Sequence, residues 1–355
     1  MMAAIVGECC TRRHVSSSMA VIRRLVVGKK RYVINRQPLS KHLESLLPLV
    51  VDILTESQFP EEEFRNLKNI TLQNLKVNQA KTSYLASVGF RQNIFGDSHP
   101  YGRSLKENAI TEISLNDLKR FYNEFYTYKN CQIILSGNGD QDFYALFNKY
   151  FGKNSWGNTS KKSQNYTIQT KTGLTIIEKE NNLQSSIRIG RPMFTLAHED
   201  YFKSYILTEV LGGYFGSRLM KNIREEKGYT YGIHANIISH QREGYFVIGT
   251  DVNKENTDNT ISEIYKEIEI LRSEPVPFDE LETVKNYMLG SFFNSINTPF
   301  ALADKFKMIH FNALDYSFYK KYIQTIQTIT PEELKEMANK YFNKHQMTEI
   351  VAGGQ

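Results

Sequence analysis

Two stretches of this chain, 216 residues apart, carry one pattern, and that repeat constrains the fold more than any other feature. Ile113-Ser-Leu-Asn-Asp-Leu118 runs on through Phe125 and Tyr126 to Ile133-Ile-Leu-Ser-Gly137. Ile329-Thr-Pro-Glu-Glu-Leu334 runs on through Tyr341 and Phe342 to Ile350-Val-Ala-Gly353. Each predicts a capped amphipathic helix feeding a strand. Upstream, Phe59-Pro-Glu-Glu-Glu-Phe64 parallels Val276-Pro-Phe-Asp-Glu-Leu281, and Thr82-Ser-Tyr84 parallels Thr298-Pro-Phe300. A repeat of so long a period marks two homologous domains, not a solenoid.

The second copy reads as complete. Leu174–Ile177 and Ser186–Gly190 alternate as strands, Tyr201–Leu211 has helical periodicity, and Tyr231–Ser239 with Tyr245–Asp251 predicts an antiparallel pair. Helices are expected near 256–272, 278–295, 299–310, 316–327 and 331–343, and a last strand near 348–352. In the first copy, Tyr32-Val-Ile34 falls on the strand end at Ile248–Asp251 and Ser40–Thr55 on a later helix, but nothing in 1–31 matches the Leu211–Ala235 run. The expected architecture is α+β: two homologous sandwich domains, each a mixed or antiparallel sheet packed with helices, the first truncated. The expected organisation is an unstructured leader over 1–31, an incomplete first domain over 32–153, a linker over 154–171 rich in Asn, Ser, Thr and Lys, and a second domain over 172–355.

Charge and cysteine content narrow the function classes. Residues 1–41 hold nine Lys and Arg against Glu8 alone, leaving a net −2 for the other 314 residues. A body so close to neutral gives a nucleic-acid reading no electrostatic support. Cys9 and Cys10 are adjacent, without metal-knuckle or redox spacing, and Cys131 reads as a small core residue on a strand. No apolar run reaches the ~18–20 residues that span a bilayer. The Arg- and Ser-rich, acid-poor first 31 residues faintly resemble a mitochondrial transit peptide.

Chemistry concentrates in Leu211-Gly-Gly-Tyr-Phe-Gly-Ser-Arg-Leu-Met-Lys-Asn-Ile-Arg-Glu-Glu-Lys-Gly-Tyr-Thr-Tyr231-Gly-Ile-His-Ala235. The Gly-rich stretch 212–216 reads as a helix end, Ser217 as the cap of a new helix, and Gly228 as its stop. Strict alternation after Thr230 would point Tyr231, Ile233, Ala235 and Ile237 to one face. A guanidinium on a last helical turn and a phenol at a strand start offer fork-like donors and a hydroxyl, suited to a peptide carbonyl or an oxyanion. Taken alone, the pair reads as a surface arginine and a packed tyrosine.

The run resembles the second-half signature of the pitrilysin/insulinase-type metallopeptidases, the inverzincins. The resemblance covers the chain from about residue 32 onward. It implies that Arg224 and Tyr231 are substrate-binding residues, facing a zinc site on another half of a clam-shell chamber that encloses unfolded peptides. The family's zinc helix carries His-x-x-Glu-His, two ligands on one helical face with a water-activating Glu. No two of the eight histidines here (His14, His42, His99, His198, His234, His240, His310, His345) stand four apart. The family's third ligand is a Glu on the helix matching Pro60–Gln79, where alignment by eye puts Asn74, and an amide is a poor zinc ligand. Glu61–Glu63 read as first-turn residues that complement the helix dipole.

Other motifs carry less. His99-Pro-Tyr-Gly102 also recurs in the family's first domain; its physical content is a turn. Gly212, Gly213 and Gly216 lack the Lys-Ser/Thr of a phosphate cradle. His234, three residues after Tyr231, falls on the opposite strand face. The resulting expectation is a non-catalytic subunit that binds peptide through Arg224 and Tyr231, carries no catalytic or metal-binding residue or cofactor of its own, and completes a zinc-bearing His-x-x-Glu-His homologue as a heterodimer. Binding can be assisted by an edge strand that receives extended substrate. Two alternatives stay open: an active peptidase whose zinc-helix region is missing from the sequence, and a structural assembly subunit. The expected compartment is soluble, in a bacterial cytoplasm or periplasm, with the mitochondrial matrix as alternative.

Overall fold

The computed structural model describes residues 22–27, 32–36, 43–137, 141–152, 156–157 and 166–353. They form two compact units that are not contiguous in sequence. The first draws on residues 1–78 and 105–165, the second on 79–104 and 166–355.

In the first unit, β1 (Ile22–Val27) pairs antiparallel with β2 (Tyr32–Arg36). The leader expected over 1–31 therefore holds a strand at 22–27, where Ile22-Arg-Arg-Leu-Val-Val27 has the β-branched content that strands favour. Helices Leu43–Thr55, Glu61–Gln79 and Leu115–Phe125 follow. Ile53, Phe64, Leu67, Ile113, Leu118 and Tyr122 form their shared core. Tyr122 donates its hydroxyl to Leu54 O at 2.7 Å, and Lys68 Nζ donates to Thr111 O at 2.7 Å and Ile113 O at 3.0 Å. The strand expected at 133–137 does not form: residues 131–136 pair with no strand among the described residues. The composition of 133–137 suits a strand, but a strand also needs a partner to bond its backbone. Cys131 is accordingly half-buried and extended, not a strand residue.

The second unit is built on one mixed five-stranded sheet, ordered β3-β7-β4-β6-β5. The strands are β3 (Gly173–Ile177), β4 (Gln184–Met193), β5 (Thr230–Ser239), β6 (Gly244–Asn253) and β7 (Thr348–Ala352). β3 and β7 run parallel and every other pair antiparallel. One face carries Ile187, Ile189, Ile233, Ala235, Ile237, Phe246 and Ile248 into the main core. Helices Tyr201–Thr208, Thr257–Ser273, Phe278–Asn294, Ser317–Thr328 and Pro331–Tyr341 supply core residues on the same side. Their boundaries follow sequence signals. Thr330 accepts from Glu333 N while Glu333 reaches back to Thr330 N, a capping box with Pro331 at the first helical position. Ser114 and Asp117 make the same box at the matching helix of the first unit.

The opposite sheet face is covered by the helix Thr82–Phe95 and the turn after it. Ala86, Phe90, Ile94, Phe95 and Tyr101 bury themselves with Ile350 and Ala352. Small residues on β4 make room: Ser186 Oγ bonds Thr82 Oγ1 at 2.9 Å, and a side chain at Gly190 would strike Phe90 at 2.9 Å. His99-Pro-Tyr-Gly is the turn expected from its sequence. Gly102 N donates to His99 O at 3.0 Å, and the His99 ring, 3% exposed, stacks on Phe95.

Candidate functional site

The segment between Tyr201–Thr208 and β5 departs twice from α-helical geometry, at the π-helical stretches Glu209–Gly213 and Met220–Glu226. Such widened turns frequently mark functional positions. Inside the first, Gly212 leaves helical geometry at φ −161°, ψ 15°. A Cβ on Gly212 would lie 2.8 Å from Ala235 N and Cβ, so the turn approaches β5 this closely only with glycine. Ser217 does not cap the next helix with its side chain. Its hydroxyl is fully buried with no hydrogen-bond partner among the described residues, and its carbonyl accepts from Lys221 N at 3.0 Å.

The second stretch is fastened on three sides. Leu219, Met220 and Ile223 are buried in the main core. Arg218 grips Glu280 of the helix Phe278–Asn294 bidentately, Nε to Oε1 at 2.9 Å and Nη2 to Oε2 at 2.8 Å. Asn222 donates to Glu263 at 2.9 Å and Glu267 at 2.7 Å on the helix Thr257–Ser273. That hydrogen bond, ahead of nearby Lys227 and Lys266, holds the Glu263 carboxyl below its usual range. Ile233 N of β5 points at Met220 Sδ, 3.5 Å away. Gly228, at φ +65°, ends the segment in the left-handed conformation that suits glycine.

Arg224 sits on this fixed stretch, half-buried. Its guanidinium lies 4.6 Å from the ring centroid of Phe215, which is 65% exposed. Among the described residues Arg224 has no ion pair and no hydrogen bond, so its planar fork of donors is unspent. Phe215 was not singled out in the sequence; an aromatic between Gly213 and Gly216 in a polar turn is the signal that marks it.

Tyr231 is not on the buried face that strict alternation assigned to it. It is 96% exposed, while Ile233, Ala235 and Ile237 are buried. The cause is a bulge: Thr230 pairs with Val252 and Ile233 with Thr250, one extra residue on β5. Such a bulge re-aims the side chain at the extra position. Two threonines hold it. Gly232 N donates to Thr230 Oγ1 at 3.1 Å, Thr230 Oγ1 donates to Asp251 O at 2.8 Å, and Thr250 Oγ1 lies 2.9 Å from Thr230 Oγ1. Gly232 inside the strand pattern is the sequence sign of that bulge. No hydrogen bond or ring contact joins Arg224 to Tyr231. Both are presented outward from adjoining elements, and His234 is exposed as expected.

Behind the turn lies Glu209, 9% exposed, with Oε2 buried and without a hydrogen-bond partner among the described residues. Burial pushes its carboxyl up from the usual range, and a hydrogen bond from Tyr205 offsets part of that. Zinc has no fitting donor set among the described residues. No three His, Cys, Asp or Glu side chains there could hold a metal. The helix Glu61–Gln79 contains no histidine, and Asn74 on it is exposed. No described helix is long and apolar enough to cross a membrane.

A family model described as the peptidase M16 inactive domain matches residues 112–288. The chain is 23% identical over 265 residues to the "Uncharacterized zinc protease YmxG" of Bacillus subtilis, covering 73% of this chain and 63% of that protein. It is 23% identical over 266 residues to the "Non-peptidase homolog YmxG" of Helicobacter pylori, covering 71% and 59%. The chain thus spans less than two-thirds of the length of either relative. Among solved structures, the peptidase M16 inactive domain from Pseudomonas fluorescens shares the fold with a TM-score of 0.80 at 24% identity, over 90% of this chain and 77% of that chain. These likenesses, with the α+β fold and the 211–235 motif, are to the peptidase M16 inactive-domain family, whose model matches about half of the chain.

Proposed function

We propose that this chain is the non-catalytic, peptide-binding subunit of an insulinase-type zinc metalloendopeptidase. In this reading Arg224 and Tyr231 hold an unfolded peptide beside the bond that a zinc-bearing His-x-x-Glu-His homologue cleaves, and the two chains are halves of one heterodimer. The observation that carries the reading is the state of the pair. A guanidinium with no hydrogen bond or ion pair among the described residues sits on a segment pinned from three sides, and on the following strand a bulge turns Tyr231 almost wholly into solvent. An uncommitted charge held in place is binding capacity: its parallel N–H donors suit a peptide carbonyl or carboxylate. The Tyr231 hydroxyl adds a second donor. β5 is one of the two edge strands of the sheet and can guide extended substrate alongside them.

Two measurements test the reading. Elemental analysis of the purified chain is expected to show no stoichiometric zinc, with no phenanthroline-sensitive peptide cleavage; one equivalent of zinc with such cleavage overturns it. Fluorescence anisotropy with labelled unstructured peptides is expected to show saturable binding by the intact chain that Arg224→Ala abolishes. A chain that binds no such peptide, alone or with a zinc-bearing homologue, is an assembly component.

A further inference from the structure

Among the described residues, Phe215 and Arg224 meet each other, and neither has a further ring contact, ion pair or side-chain hydrogen bond. The phenyl ring is a large apolar group left 65% exposed in a turn, and the guanidinium carbon lies over it, 4.6 Å from the centroid; among the described residues no other ring touches it and no carboxylate or carbonyl fixes the guanidinium's direction. An arginine side chain has wide rotamer freedom, and an exposed one ordinarily spreads over many orientations. A ring against the guanidinium narrows that freedom without using any of its N–H donors in a hydrogen bond. The base under both residues is rigid: Arg218 is clamped to Glu280, Asn222 to Glu263 and Glu267, and Met220 lies against Ile233 N.

We propose that Phe215 is the positioning residue of the Arg224 site, holding the guanidinium edge-outward for the carbonyl or carboxylate of an extended peptide. The proposal rests on the reading of Arg224 as a peptide-binding residue. Pre-ordering a donor lowers the cost that a ligand otherwise meets on binding. A stacking contact of this exposed kind biases the orientation by roughly three- to five-fold.

The test combines a ligand-free readout with an affinity readout. In NMR of the intact chain, the Arg224 Nε–Hε resonance is expected to carry a ring-current shift that Phe215→Ala removes and Phe215→Trp keeps. Anisotropy with a labelled unstructured peptide should show Phe215→Ala weakening binding roughly three- to five-fold. Phe215→Trp should restore it, and Phe215→Leu, apolar but without a π face, should not. In an Arg224→Ala background, Phe215→Ala should add nothing. If Phe215→Ala binds like wild type while Arg224→Ala does not, the positioning role is wrong and the binding role of Arg224 stands. Peptide binding indifferent to Arg224→Ala removes the reading beneath it. Rescue by Leu equal to rescue by Trp overturns the stacking role in favour of plain apolar contact.

Discussion

The hydroxyl oxygens of Thr230 and Thr250 lie 2.9 Å apart where the start of β5 meets the end of β6, and that contact closes the bulge that turns Tyr231 outward. A hydroxyl bonded to the backbone is what the extra residue needs, because the ladder leaves its amide without a cross-strand partner. Thr230→Val keeps the β-branched shape and removes the bond. It is expected to lower stability by about 1 kcal/mol and to reduce iodination of Tyr231 in footprinting, as the strand relaxes toward plain alternation. Unchanged labelling would show that the bulge is set by Gly232 instead.

In a verified complex with a zinc-bearing homologue, Arg224→Ala and Tyr231→Phe should each lower peptidase turnover on the order of 10²-fold, the usual scale for a donor aimed at a developing oxyanion. The two losses should be less than additive, because both donors serve one carbonyl region. Lys221→Ala, exposed on the same segment, is the control and should do little. Equal behaviour of all three variants would make the pair structural.

The clamp between Arg218 and Glu280 is shielded, its side chains 13% and 23% exposed, and both hydrogen bonds are short. Glu280→Ala should cost about 2 kcal/mol in denaturant unfolding, because it strands a charge in a half-buried place. The Glu61 to Arg65 pair, open to water on both sides at 77% and 68%, is the contrast. Glu61→Ala should change stability by less than about 0.5 kcal/mol. Similar losses for both would place the clamp among contacts that contribute little.

Glu209 gives a pH signature. Burial holds its folded-state pKa above the unfolded value, so the folded chain keeps this proton to higher pH than the unfolded chain does. The stability that follows is fully present below the ordinary glutamate range and is lost as pH rises through the raised value. Glu209→Gln has no proton to lose there. The gap in Tm between variant and wild type should widen in favour of the variant as pH climbs through that window, and close below it. A gap that stays constant with pH would mean that the carboxyl is solvated in the folded chain.

Helices between 257 and 341 stand within about two residues of their expected bounds, because each boundary is written locally: Pro331 behind a capping threonine, Pro299 behind Thr298, Pro277 before Phe278. The site was legible in part for the opposite reason. Arg224 and Tyr231 were marked by spacing, but which way Tyr231 faces depends on the bulge, and period-two reasoning carries no term for an inserted residue. Phe215 was passed over because its role lies in a contact across a turn. The strand read at 133–137 had the right composition, but composition does not decide pairing, which depends on residues far along the chain.

The helix Thr82–Phe95 carries a consequence for the order in which this protein is made. Phe90, Phe95 and Tyr101 leave the ribosome before any strand of the sheet they cover, and β7, whose Ile350 and Ala352 they meet, leaves last. The C-terminal unit thus closes over an interval of some 250 residues of synthesis, with its first-born helix held waiting for its last-born strand. At ordinary translation rates that wait lasts on the order of ten to fifty seconds. During it an aromatic face stays open to whatever else is nearby. A gene fragment starting at Tyr166 would encode every strand of the sheet and still leave one of its faces bare.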